Sequence, residues 1–100
     1  MVSQPPQLDQ QELAALCARS RIRRLALFGS VLRGDFDSAS DVDVLVEFEP
    51  GAKVGLAFFD IEDKLSEMMG RKVDLNTPGF LNPSFREEVL REAQDVYVAP

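Results

Sequence analysis

The sequence predicts an α/β fold, a small mixed sheet of three to four strands packed with helices, and three observations lead there. Val42, Val44 and Val46 alternate with polar or outward positions, a strand period. Val54, Phe58, Ile61, Leu65 and Met68 recur at spacings of four and three, a helix period. Segments of the two kinds take turns along the chain, which favours helices laid on a sheet over an all-helical bundle. A chain of 100 residues buries one apolar core and seldom two. We therefore expect a single domain over residues 8–100, preceded by a flexible leader over residues 1–7 that contains Pro5 and Pro6.

The elements follow in order. Asp9 with Glu12 three residues on reads as a capping box, and Leu8 and Leu13 are placed as the hydrophobic staple around it. A helix should run from there to about Arg19, its inner stripe being Leu13, Leu16 and Cys17. Arg24 to Phe28 is a short apolar run that stops at Gly29, so it predicts a strand ending in a tight turn, after which Ser30 can cap a short helical turn through Arg33. Asp41 to Phe48 is the clearest strand, with Val42, Val44 and Val46 on one face and Asp41, Asp43, Leu45 and Glu47 on the other. After the turn at Pro50 and Gly51 comes the long amphipathic helix, which Gly70 stops. Lys72 to Leu75 resumes a strand; Asn82 and Pro83 open a last helix carrying Phe85, Val89 and Leu90, and Val96 to Val98 adds a closing edge strand.

Composition removes several classes of function. A formal charge of −6 argues against a general nucleic-acid binder, which offsets phosphate repulsion with a basic surface. The lone Cys17 excludes an intramolecular disulfide and a multi-cysteine zinc site, and the absence of histidine removes the usual general base of serine and cysteine hydrolases. No apolar run approaches a membrane span and no signal pattern opens the chain, so a cytoplasmic location without membrane association is expected. Arg19, Arg21, Arg23 and Arg24 form the one basic cluster, read first as a solvated helix end whose cations suit the dipole and second as a docking patch. Phe58, Phe59, Met68 and Met69 read as core or as interface, with the choice open.

The chemistry gathers around Phe28, Gly29 and Ser30, then ten residues, then Asp41, Val42 and Asp43. Gly29 lets backbone approach a phosphate closely, and Ser30 with the N–H groups after it offers donors at a helix start. Asp41 and Asp43 project on one side about 6.6 Å apart at their roots, from about 3.3 Å of rise per residue. Two carboxylates at that distance repel by about 2.5 kcal/mol at an effective dielectric near 20, and Asp74 on a later strand adds to the cost. A cation should sit there, and magnesium suits the all-oxygen donors, sharing its shell with substrate phosphates.

These residues resemble the minimal nucleotidyltransferases of the DNA polymerase beta superfamily, above all the antitoxins paired with HEPN-type toxins. The signature of Gly-Ser, ten residues and Asp-x-Asp is matched without a gap by Gly29, Ser30, Asp41 and Asp43. The resemblance extends to Leu32-Arg33-Gly34, Ser40, Arg71-Lys72-Val73-Asp74-Leu75 and Glu92-Ala93, over residues 22–98. It implies a nucleotidyltransferase-like fold in which Asp41 and Asp43 hold two magnesium ions. Asp74 would be the third carboxylate, also a metal ligand, that helps activate the attacking hydroxyl. Gly29 and Ser30 would hold the triphosphate, with Arg33 as a further phosphate contact.

The function so implied is transfer of AMP from ATP to a hydroxyl, a tyrosine first, of a partner HEPN-type RNase toxin, with the chain acting as antitoxin within a hetero-oligomer. The rival is a non-catalytic nucleotide-binding antitoxin that neutralises its partner by occlusion; the intact set of Asp41, Asp43 and Asp74 leans towards catalysis. A small-molecule transferase of the aminoglycoside type is disfavoured, because little chain follows the third carboxylate to build an acceptor pocket.

Overall fold

The computed structural model describes residues 9–29 and 41–100. The expected leader and the expected helical turn from Ser30 to Arg33 lie outside these residues. Asp9 is the N-cap of α1 (Gln10–Arg19): its carboxylate accepts from the N–H of Gln11 at 3.0 Å and of Glu12 at 3.2 Å, which satisfies two of the free donors of the first turn. Leu13, Leu16 and Cys17 are its buried stripe, as the spacing predicts. Arg21, with φ 59, takes the left-handed conformation that swings the chain into β1 (Ile22–Phe28).

Then follow β2 (Val42–Phe48), α2 (Ala57–Met69), β3 (Val73–Asn76), a 3-10 turn (Pro78–Phe80), α3 (Pro83–Glu92) and β4 (Gln94–Val98). The sheet has the order β3-β2-β1-β4, with β1 antiparallel to both neighbours and β3 parallel to β2. It is thus mixed and four-stranded, and β4 is the expected closing edge strand, two residues longer than Val96 to Val98. Gly70, with φ 66, ends α2 in the left-handed conformation that any other residue would adopt at a cost. The expected stripe of Val54, Phe58, Ile61, Leu65 and Met68 all packs against the core, with Met68 half-buried, and Met69, buried at the end of α2, widens it by one residue.

Residue parity assigns each strand's side chains to one face or the other. On the first face, Leu25 and Leu27, Val42, Val44 and Val46, and Val73 and Leu75 form a continuous core with the inner stripes of α1 and α2. On the second, a smaller cluster of Ala26, Leu45 and Leu81 is joined by the half-buried Phe28, Val89, Leu90 and Ala93, so α3 lies over this face. The outer edge of β3 is bound by α2: the N–H of Val73 donates to Ser66 Oγ at 2.9 Å and that of Leu75 to Glu62 Oε2 at 2.8 Å. Backbone donors that an edge strand would leave to water or to another chain are thereby satisfied.

The arginine cluster departs from its first reading. The helix stops at Arg19, and the remaining three cations face carboxylates: Arg21 meets Glu49 at 3.4 Å, Arg23 meets Glu47 at 3.7 Å, and Arg24 bridges Glu47 at 3.0 Å and Asp95. The hydrogen bond to Asp95 leads the causes that hold the Arg24 guanidinium above its ordinary pKa, with Glu47 adding to it. These arginines tie β1 to β2 and β4 in place of forming a free basic patch. Among the described residues, no helix is long and apolar enough to cross a membrane.

Candidate active site

β1 ends at Gly29, whose φ of 78 is open to glycine and strained for other residues. A Cβ built there would collide with Asp43 Oδ2 and lie 3.2 Å from Asp43 Cγ. The missing side chain is therefore what lets the turn after β1 and the Asp43 carboxylate sit against each other.

Asp43 is fixed from both sides. It stands opposite Phe28 in the antiparallel pair and opposite Asp74 in the parallel pair. Neighbouring strands run about 4.8 Å apart, so Asp43 and Asp74 stand side by side on the face that carries α3. Asp43 is half-buried and Asp74 exposed. Asp41 is exposed and stands one residue ahead of β2, so the strand begins at Val42, where the N–H donates to Lys72 O at 2.9 Å. Of the residues singled out from the sequence, Gly29, Asp43 and Asp74 are brought together, Asp41 borders them, and Ser30 and Arg33 lie outside the described residues.

Among the described residues, no group of three acidic or sulfur side chains is gathered tightly enough to cage a metal ion with protein ligands alone. Magnesium does not need such a cage. It is commonly held by one or two carboxylates with substrate phosphates and water completing the octahedron, and the donors here are all hard carboxylate oxygens. The residues present fit that mode of binding.

Beside the carboxylates opens a cleft of about 410 Å³, with Phe28, Gly29 and Asp43 on the sheet side. Its other wall is Phe85, Glu88, Val89 and Glu92, spaced three, four and seven residues along one stripe of α3. Asn82 caps this helix by accepting from the N–H of Ser84 at 2.9 Å, Pro83 takes its first position, and Arg86 donates to Leu81 O at 3.0 Å. The wall is thus held by the cap and by the buried Leu81. Phe85, named from the sequence as a residue of this last helix, is 44% exposed and faces this opening. Glu88 was not marked by the sequence, and Glu92 only within the Glu92-Ala93 pair of the family likeness and with no role, because acids on a helix read as its solvated side; the signal is that they share a stripe with Phe85 and Val89.

Residues 11–96 match the sequence profile of the family described as nucleotidyltransferase domain. The protein adenylyltransferase MntA of Thermococcus cleftensis is 39% identical over 80 residues, 80% of this chain and 78% of that protein. A solved structure provisionally named a minimal nucleotidyltransferase superposes with a TM-score of 0.69 at 35% identity, covering 89% of this chain and 88% of the other. The fold also matches, at a TM-score of 0.60 and 16% identity over 90% of this chain and 70% of the other, a complex of the tri-AMPylated Shewanella oneidensis HEPN toxin with its MNT antitoxin.

Proposed function

We propose, from the premise that this chain belongs to the nucleotidyltransferase domain family, that it transfers AMP from ATP to a hydroxyl, tyrosine first, of a HEPN-type RNase toxin in the cytoplasm and acts as its antitoxin. The observation that carries the reading is the placement of Asp43 and Asp74 in register beside Gly29. The name of the Thermococcus relative and the AMPylated toxin of the Shewanella complex support the destination of the AMP.

In this reading the turn at Gly29, with Ser30 and Arg33 beyond it, receives the triphosphate, because bare backbone can approach phosphate oxygens closely. Asp41, Asp43 and Asp74 would hold magnesium, as two ions, which supplies positive charge against the triphosphate and the neighbouring carboxylates. Asp74, exposed at the rim, takes the proton of the acceptor hydroxyl. The hydroxyl oxygen bonds to the α-phosphorus, the bond to the oxygen bridging the β-phosphate breaks, and pyrophosphate leaves with that oxygen. The acceptor is a macromolecule that docks over the open carboxylate face, and the added phosphate hinders its own RNA binding by repulsion.

Co-expression with the toxin tests this. Intact-mass spectrometry should show AMP-sized additions on the partner that fall by at least about a hundredfold with Asp41→Asn, the scale of losing a transition-state charge contact. Full neutralisation by Asp41→Asn at native expression levels would hand the role to occlusion.

A further inference from the structure

The stripe of α3 that faces the cleft has work that the transfer chemistry leaves unassigned. A helix laid on a sheet ordinarily buries its apolar stripe, yet α3 buries no residue fully, and Phe85 stays 44% exposed over an opening of about 410 Å³. That opening is of a size with pockets that enclose small ligands. Its two walls differ in kind. The sheet side offers glycine backbone at Gly29; the helix side offers an aromatic ring, a valine and two carboxylates.

We propose that this helical wall is the nucleoside subsite: Phe85 stacks on the base, and Glu88 and Glu92 accept hydrogen bonds from the ribose hydroxyls and from an exocyclic amine, so that adenine is preferred over guanine. The inference rests on the nucleotide reading above and adds to it the residues that recognise the uncharged half of the substrate. Electrostatics decides the orientation. Carboxylates at Glu88 and Glu92 repel phosphate oxygens, so the triphosphate turns away from α3 towards Gly29, and the neutral nucleoside is what remains to lie along the helix. An ionised carboxylate only accepts hydrogen bonds; ribose hydroxyls and the adenine amine donate them, whereas guanine presents a carbonyl oxygen at the position of that amine. Phe85 is suited to stacking because its backbone is held by the Asn82 cap and Pro83 in the first turn, so little order is lost when a base lands on it.

The experiment compares two probes in the presence of magnesium, ATP and inorganic tripolyphosphate, by calorimetry on the whole chain. Phe85→Ala should weaken ATP by roughly tenfold, the scale of one base-aromatic stack, and leave tripolyphosphate within about twofold. Phe85→Trp, which keeps a stacking face, should hold ATP affinity at or above the parent value. Glu88→Gln combined with Glu92→Gln should narrow the preference for ATP over GTP. Unchanged ATP affinity in Phe85→Ala, an equal loss for both probes, or an unchanged ATP to GTP ratio in the double variant overturns the subsite while the nucleotide reading stands. A parent chain that binds neither probe sinks the nucleotide reading, and the subsite with it.

Discussion

On one face of the sheet Val42, Val44 and Val46 are each 0% exposed beneath α1 and α2; on the other, Asp43 and Asp74 stand beside an open cleft under a helix that buries nothing fully. Both faces come from the same strands. Val42 and Asp43 are neighbours in sequence, yet one belongs to the continuous core and the other to the candidate site. The lesson is that parity along a strand lets a small domain keep its stabilising contacts and its repelling carboxylates apart, separated by the thickness of one sheet. Substitutions on the first face should therefore act on stability, and those on the second on ligand binding.

The largest break in that rule to look for is at Leu65, 0% exposed on α2. Leu65→Ala should lower unfolding free energy by about 2–5 kcal/mol through lost burial and a residual cavity, enough to threaten a marginally stable domain, and urea titration reads it directly. Any folded fraction should retain its ATP affinity. Gly29→Ala inverts the pattern. Positive φ and the collision with Asp43 should cost about 1–3 kcal/mol of stability, read by the same titration, and ATP binding should fall by more than the fold-change that stability alone explains. Binding that survives intact would remove Gly29 from the site.

Arg24 lies on the second face without belonging to the cleft, so it sharpens the comparison. Arg24→Met should cost about 1 kcal/mol, the scale of a partly exposed ion-pair network, and thermal melts should show the cost shrinking as salt rises. ATP affinity should not move. The smallest effect at neutral pH concerns Cys17 in the first core, where burial pushes the thiol from its usual 9.0 to about 11. Below pH 9 the thiol is protonated in both folded and unfolded chains and contributes no pH dependence. As pH rises from 9 to 11 the unfolded chain releases its proton first, so stability falls across that window. Cys17→Ala should flatten that alkaline limb of a stability profile, and a limb that is unchanged would place the thiol in contact with water.

The difference between the faces also explains what could be read from the sequence. The first face obeys simple periods, and Leu13, Leu16 and Cys17, Val42, Val44 and Val46, and Ile61 and Leu65 were all legible from spacing because burial enforces it. The second face is assembled from contacts that spacing does not encode. Arg24 finds Asp95 at 71 positions' distance and Glu47 at 23, so a run that reads locally as surplus charge is neutralised by strands that the sequence keeps apart. The pairing of Asp43 with Asp74 depends on the register of a parallel pair, which alternation alone does not fix; the likeness to a known family marked both residues. That Phe85, Glu88 and Glu92 form one wall of a cleft was not legible for the opposite reason, since a stripe that lines an opening need not be apolar.

The hydrogen bonds from Val73 and Leu75 to Ser66 and Glu62 have a consequence for the two ends of the sheet. Strand addition needs a free row of donors and acceptors, and on the β3 side α2 already takes two of the donors, those of Val73 and Leu75. At the other end of the sheet stands β4. The two ends of the sheet are therefore unequal among the described residues: a strand pairing at β3 would have to displace two side-chain hydrogen bonds from α2 before it could form its own.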